Sequence, residues 1–109
     1  MTVDKLAEML NATTVNQADF SREIVGGYAG DLLSFVMGRA PENCAWYTVM
    51  TNVNVAAVAV LADVAVVVLC EGCLPDPTLV KRAKTQGINV IATTLPVYDA
   101  IAAVCCNED

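Results

Sequence analysis

Histidine is absent from the 109 residues. This removes the usual neutral-pH general base and any Ser-His or Cys-His nucleophile within one chain. Neither G-x-x-x-x-G-K-[ST] nor G-x-G-x-x-G occurs, so the common phosphate-binding loops are missing as well. Positive charge is also scarce, with Lys and Arg totalling 6 against 12 Asp and Glu, for a net charge of −6. An acidic surface repels phosphate backbones. The one basic cluster, Lys81, Arg82 and Lys84, has no interleaved aromatic residue and reads as a solvated helix face, so nucleic acid is not an expected partner. The amino-terminal residues Met1 to Lys5 lack the basic-then-apolar pattern of a signal peptide, which makes the cytoplasm the expected location.

Aromatic residues supply only 6% of the chain although 56% is hydrophobic, so the core must be built from Val, Ala, Leu and Ile. β-Branched runs favour strands, and alanines favour closely packed helices. A chain of this length suits one domain and buries roughly 65% of its extended surface. The stretch from Val53 to Cys70 carries one charge, Asp63. A membrane span needs about 20 predominantly apolar residues, and an aspartate at its centre is costly. Composition also changes from Ala-rich to Val-rich at Asp63, so the stretch reads as helix, turn and strand, and no membrane association is expected.

Thr2 is placed to cap a first helix through Leu10, and Ala12 to Val15 is a short strand. Glu23 to Val25 reads as a second strand running into Gly26-Gly27, with a helix from about Asp31 to Met37 that stops at Gly38. Cys44 to Met50 is a strand, and Asn52 or Asn54 can cap a helix reaching Ala62. Val64 to Leu69 is a continuous apolar run of the kind found in buried parallel strands. Asp76-Pro77 starts a helix that ends at Gly87, Ile88 to Ala92 is a buried strand, and a last helix runs from Pro96 to about Cys105. This order of strands and helical crossovers predicts one α/β domain over residues 1–109, with a mostly parallel sheet flanked by helices.

Five cysteines without a secretory signal point to reduced thiols. Cys70-Glu-Gly-Cys73 has the spacing of a redox pair or half a zinc site. A structural zinc site needs four ligands, and Cys44, Cys105 and Cys106 supply no second C-x-x-C. Small core residues are therefore the leading reading of these cysteines, and no metal or cofactor is expected. Thr48, Thr51, Asn52 and Asn54 cluster at one strand-to-helix turn, where the carboxyl ends of parallel strands form a ligand crevice. They can hydrogen-bond a polar ligand or merely cap the helix. Asp31 lies where a helix amino terminus attracts anions, but its own carboxylate already occupies that field.

The ordered elements Arg22-x-x-x-Gly26-Gly27-Tyr28-x-x-Asp31-Leu32-Leu33-Ser34-x-Val36-Met37-Gly38 resemble the DRTGG domain family. Thr51-x-x-Asn54 and Glu71-Gly72-x-x-Pro75-Asp76 are similar to later segments of its small stand-alone members. Ser21 stands where the family name has Asp, and Glu23 where it has Thr. Related domains form the amino-terminal part of HPr kinase/phosphatase, accompany CBS domains, occur in phosphotransacetylases and lie near iron-only hydrogenase genes.

The resemblance implies a non-catalytic regulatory or ligand-binding module with an HPr kinase amino-terminal-domain-like fold. Arg22, Gly26, Gly27, Asp31, Thr48, Thr51 and Asn54 are the candidate ligand-binding residues, with a small polar metabolite or nucleotide as the expected ligand. The helix from Asn54 to Ala62 is apolar nearly all round, which predicts burial on more than one side and a homodimer. The alternative is a redox or metal-linked accessory protein using Cys70 and Cys73. An enzyme acting through Asp31 and Thr51 requires a deep pocket joining the two.

Overall fold

In the computed structural model, which describes residues 1–106, five short strands form one sheet in the order β1-β5-β4-β3-β2. They are β1 (Thr13–Asn16), β2 (Gly27–Ala29), β3 (Ala45–Thr48), β4 (Val66–Leu69) and β5 (Val90–Ala92). Strands β2 to β5 are parallel, and β1 runs antiparallel along β5 with a register shift between Thr14 and Asn16. The helices are α1 (Val3–Met9), α2 (Leu33–Arg39), α3 (Asn54–Ala62), α4 (Pro77–Gln86) and α5 (Val97–Cys106).

The strand alternation separates two apolar layers. Trp46, Val67, Leu69 and Val90 face one way and meet Val36 of α2, Val55, Ala56 and Ala59 of α3, and Leu79 and Ala83 of α4. Ala45, Tyr47, Val66, Val68 and Ile91 face the other way and meet Val3 and Leu6 of α1 and Ala100 of α5. The three crossover helices thus share one face while the terminal helices cover the other, as expected when successive β-α-β units keep one hand. Strand β4 is buried on both faces, which explains its unbroken apolar run.

Buried polar groups pin the ends. Asn89 Oδ1 accepts from the amides of Ala18 and Asp19, and its Nδ2 donates to the carbonyls of Asp19 and Ala65. Thr93 Oγ1 donates to the Leu10 carbonyl. Among the described residues no buried side-chain nitrogen or oxygen lacks a partner.

Several local expectations need correction. Glu23 to Val25 is not a strand in the sheet; Glu23 forms only an isolated bridge with Thr2, and the edge strand begins at Gly27. The glycine pair therefore opens a strand and does not turn a strand into a helix. Helix α2 starts at Leu33, beyond Asp31, and continues through Gly38 to Arg39. The Asp76 carboxylate makes no cap hydrogen bond to α4; Pro77 at the first position and Gly87 in the left-handed region still bound that helix. Thr2 caps α1 by accepting from the Lys5 amide at 3.3 Å. Helix α3 buries Val55, Ala56, Val58, Ala59 and Ala62 within the chain itself, against the sheet and between α2 and α4, which leaves Val60 and Leu61 outward. No helix is long and apolar enough to cross a membrane among the described residues.

Candidate functional site

The seven candidate residues fall into three places. Arg22 lies at the amino ends of the parallel strands. Its Nε and Nη2 donate to Asn43 Oδ1 at 3.2 and 2.8 Å, and Nη2 reaches the Asp63 carbonyl and Oδ1, each at 2.9 Å. Asn43 and Asp63 precede β3 and β4, and both hold positive φ, 64° and 54°. Short polar side chains tolerate that left-handed conformation better than most residues. The guanidinium fork thus ties together two strained turns, and the Asn43 amide adds a bond to the Asp63 carbonyl at 2.8 Å. Arg22 is occupied as a clamp.

Asp31, Thr48, Thr51 and Asn54 lie at the opposite, carboxyl end, about 10 Å away along a four-residue strand. The structure gathers them but joins them to protein groups. Asp31 Oδ1 accepts from Thr48 Oγ1 at 2.7 Å and from the Val49 amide at 3.0 Å, fixing the turn after β2 to the end of β3. Thr48 is fully buried, and its Oγ1 also accepts from the Met50 amide. Thr51 Oγ1 lies 3.5 Å from Asp76 Oδ1, and the Asp76 amide donates to the Thr51 carbonyl. Asn52 Oδ1, not the Asn54 side chain, accepts at the start of α3, from the Asn54 amide at 2.9 Å. Asp31 and Thr51 line neither of the two cavities described below.

Gly26 and Gly27 occupy the third place, and they line a groove of about 320 Å³. Gly26 has φ +74°, a conformation that L side chains rarely adopt. Gly27 is ordinary strand. Its missing side chain would point to the α1/α5 face, toward Tyr47 and Ala45, where Ala29 also points. Helices α1 and α5 cover β3 and β4 but leave this edge of the sheet open. Leu6, Ile24, Tyr47, Ile101 and Val104 complete the groove. Sequence reasoning missed these walls because α1 and α5 sit at opposite ends of the chain; small residues at alternate positions 27 and 29 were the available signal.

A second, polar depression is lined by Thr2, Asp4, Phe20 and residues 17–19 and 21. Hydrogen bonds from Ser21 hold the exposed Asp19 carboxyl below its ordinary range. No cluster of His, Cys, Asp and Glu suited to a metal occurs among the described residues.

The Cys70 thiol is buried, and that burial, with the Glu71 charge behind it, pushes it up to about 11. A thiol held neutral is a poor nucleophile and a poor metal ligand. Cys44 is buried and also shifted upward by burial, whereas Cys105 and Cys106 are exposed at the end of α5.

No family model matches the chain, and no curated protein matches it by sequence. Among solved structures it is similar to the CBS and DRTGG domains of the regulatory region of Clostridium perfringens pyrophosphatase, complexed with the activator diadenosine tetraphosphate. The TM-score is 0.75 at 18% identity, over 94% of this chain and 45% of that one. The chain therefore spans less than half of that structure, and the likeness concerns the fold. The α/β architecture of this chain is DRTGG-like in fold.

Proposed function

We propose that this chain is a non-catalytic, cytoplasmic regulatory module that binds a small polar metabolite or nucleotide and self-associates. The groove beside Gly26 and Gly27 carries this reading. It is concave and mostly apolar, and among the described residues its lining side chains include Tyr47 and Cys105 but no carboxylate. That chemistry suits holding a ligand better than transforming one. The similar pyrophosphatase regulatory region carries a nucleotide activator, which supports a regulatory role for the shared fold. Self-association draws support from the apolar side chains exposed on α2 and α3, where Phe35 is 44%, Met37 47% and Leu61 72% exposed.

A thermal-shift panel of nucleotides, dinucleoside polyphosphates and central metabolites tests the binding reading. A ligand at a hundred times its Kd adds about 2.7 kcal/mol, or roughly 10 °C in Tm for a domain of this size. An unchanged Tm across the panel refutes ligand binding and leaves protein interaction as the role.

A further inference from the structure

We propose that the groove between β2 and α5 is a slot for a flat, uncharged heteroaromatic ring of the nucleobase class, laid against the bare main chain at Gly27. This rests on the ligand-binding reading above and gives it a place and a chemistry.

The two glycines differ in what requires them. Gly26 is demanded by its φ of +74°. Gly27 has no such demand, because a Cβ there would sit 3.4 Å from Tyr47 Cε1 and 3.5 Å from the Ala45 carbonyl, within ordinary contact. Glycine inside a strand weakens it relative to alanine. Its effect at this position is to leave the floor of the groove without a side chain, and Ala29, on the same face, adds only a methyl. A floor of main chain and one methyl, flanked by the Tyr47 ring and lined also by Ile101 and Val104 of α5, admits a planar group.

The walls select against charge. Among the described residues no Lys, Arg, Asp or Glu side chain lines the groove; the one charged group on its wall, the Met1 ammonium, is paired with Glu23 at 3.1 Å, and the chain carries a net charge of −6. A phosphate finds the one cation there already paired with a carboxylate, so the group inside is neutral.

The open side of the slot selects for polarity in the ring. Strand β2 bonds to β3 through residues 26, 28 and 30, as the Ala45 amide to Gly26 carbonyl and Gly30 amide to Tyr47 carbonyl bonds mark out. The amides and carbonyls of Gly27 and Ala29 consequently point away from β3 and have no partner among the described residues. They offer donors and acceptors in alternation, which a ring edge bearing both kinds of group satisfies and a hydrocarbon ring does not.

Amide NMR titrations of the full chain with adenosine, guanosine and uridine test the slot, with ribose 5-phosphate as the phosphate-only control. At least one nucleoside is expected to shift the Gly27 and Ala29 amides together with those of Ile101 and Val104, saturably, while ribose 5-phosphate leaves them in place. Gly27→Val is expected to weaken that binding at least tenfold while its Tm stays at or above that of the wild type. Should Gly27→Val not fold, Gly27→Ala, whose added methyl meets only ordinary contacts, is expected to weaken it about threefold. The proposal is overturned if no nucleoside moves these amides at millimolar concentration, if the shifts centre on Asp31 and Thr48, or if filling position 27 leaves affinity unchanged. Any of these alongside a hit in the thermal-shift panel refutes the slot but not the ligand-binding module, whereas a blank in both experiments refutes both.

Discussion

Arg22→Ala separates a structural clamp from a ligand contact. The guanidinium is about one-third exposed and donates to three acceptors: Asn43 Oδ1, the Asp63 carbonyl and the Asp63 carboxylate. The ion pair itself contributes little, because Asp63 is 60% exposed and water screens it. The hydrogen bonds to Asn43 and to the Asp63 carbonyl matter more, since they hold two left-handed residues at the entries to β3 and β4. At about 1 kcal/mol for each acceptor held, the loss is about 2–3 kcal/mol. For a domain of this size that lowers Tm by about 8–12 °C, measured by calorimetry or circular dichroism. Arg22→Lys keeps the charge but not the fork, and is expected to recover less than half of the difference. A Tm change below about 2 °C on Arg22→Ala, with ligand affinity lost, would refute the clamp and return Arg22 to the binding site.

The glycine pair should respond unequally. Gly26→Ala is expected to cost about 1 kcal/mol from its positive φ, while Gly27→Ala leaves Tm unchanged or higher; equal losses would contradict the division between them. The raised Cys70 thiol gives a signed pH dependence. An unfolded thiol loses its proton near 9.0 whereas the folded one holds it to about 11, so the unfolded state binds fewer protons across that window and stability falls as pH rises. Denaturant unfolding at pH 8, 9 and 10 should show this decline, and Cys70→Ala should reduce it; a flat profile would show that Cys70 is not buried as described. In sedimentation at micromolar concentration a dimer is expected, converted to monomer by Leu61→Glu at a site exposed enough not to disturb folding; a wild-type monomer would remove self-association.

Much of the fold was legible because burial and punctuation coincide. Val66–Leu69 is covered on both faces, and Pro77 and Gly87 bracket α4, so composition alone marks these elements. The edge strand was misread for a physical reason. Ile24 and Val25 have high strand propensity but belong to the approach, while Gly27–Ala29 is strand only because β3 supplies its partners. Asp31 reads in the sequence as a carboxylate sitting in the field of a helix amino terminus. Buried Thr48 and the Val49 amide claim it first, an arrangement set by tertiary contact. The same holds for Arg22, whose partners Asn43 and Asp63 lie 21 and 41 residues away.

The division of the candidate residues between the two ends of the sheet bears on function more than any single assignment. Parallel sheets of this kind usually place ligands at their carboxyl ends, and there Asp31, Thr48 and Thr51 are already bonded to protein groups. Asp31 holds Thr48, and Thr51 meets Asp76, so a ligand entering that crevice must break protein hydrogen bonds and replace each of them. At the β2 edge, by contrast, the main-chain groups of Gly27 and Ala29 have no protein bond to lose among the described residues, and the adjoining apolar walls are already formed. Binding at the edge therefore starts without that penalty. The free-energy difference favours the Gly27 groove over the crevice even though the crevice holds more of the polar residues that the sequence brings to notice.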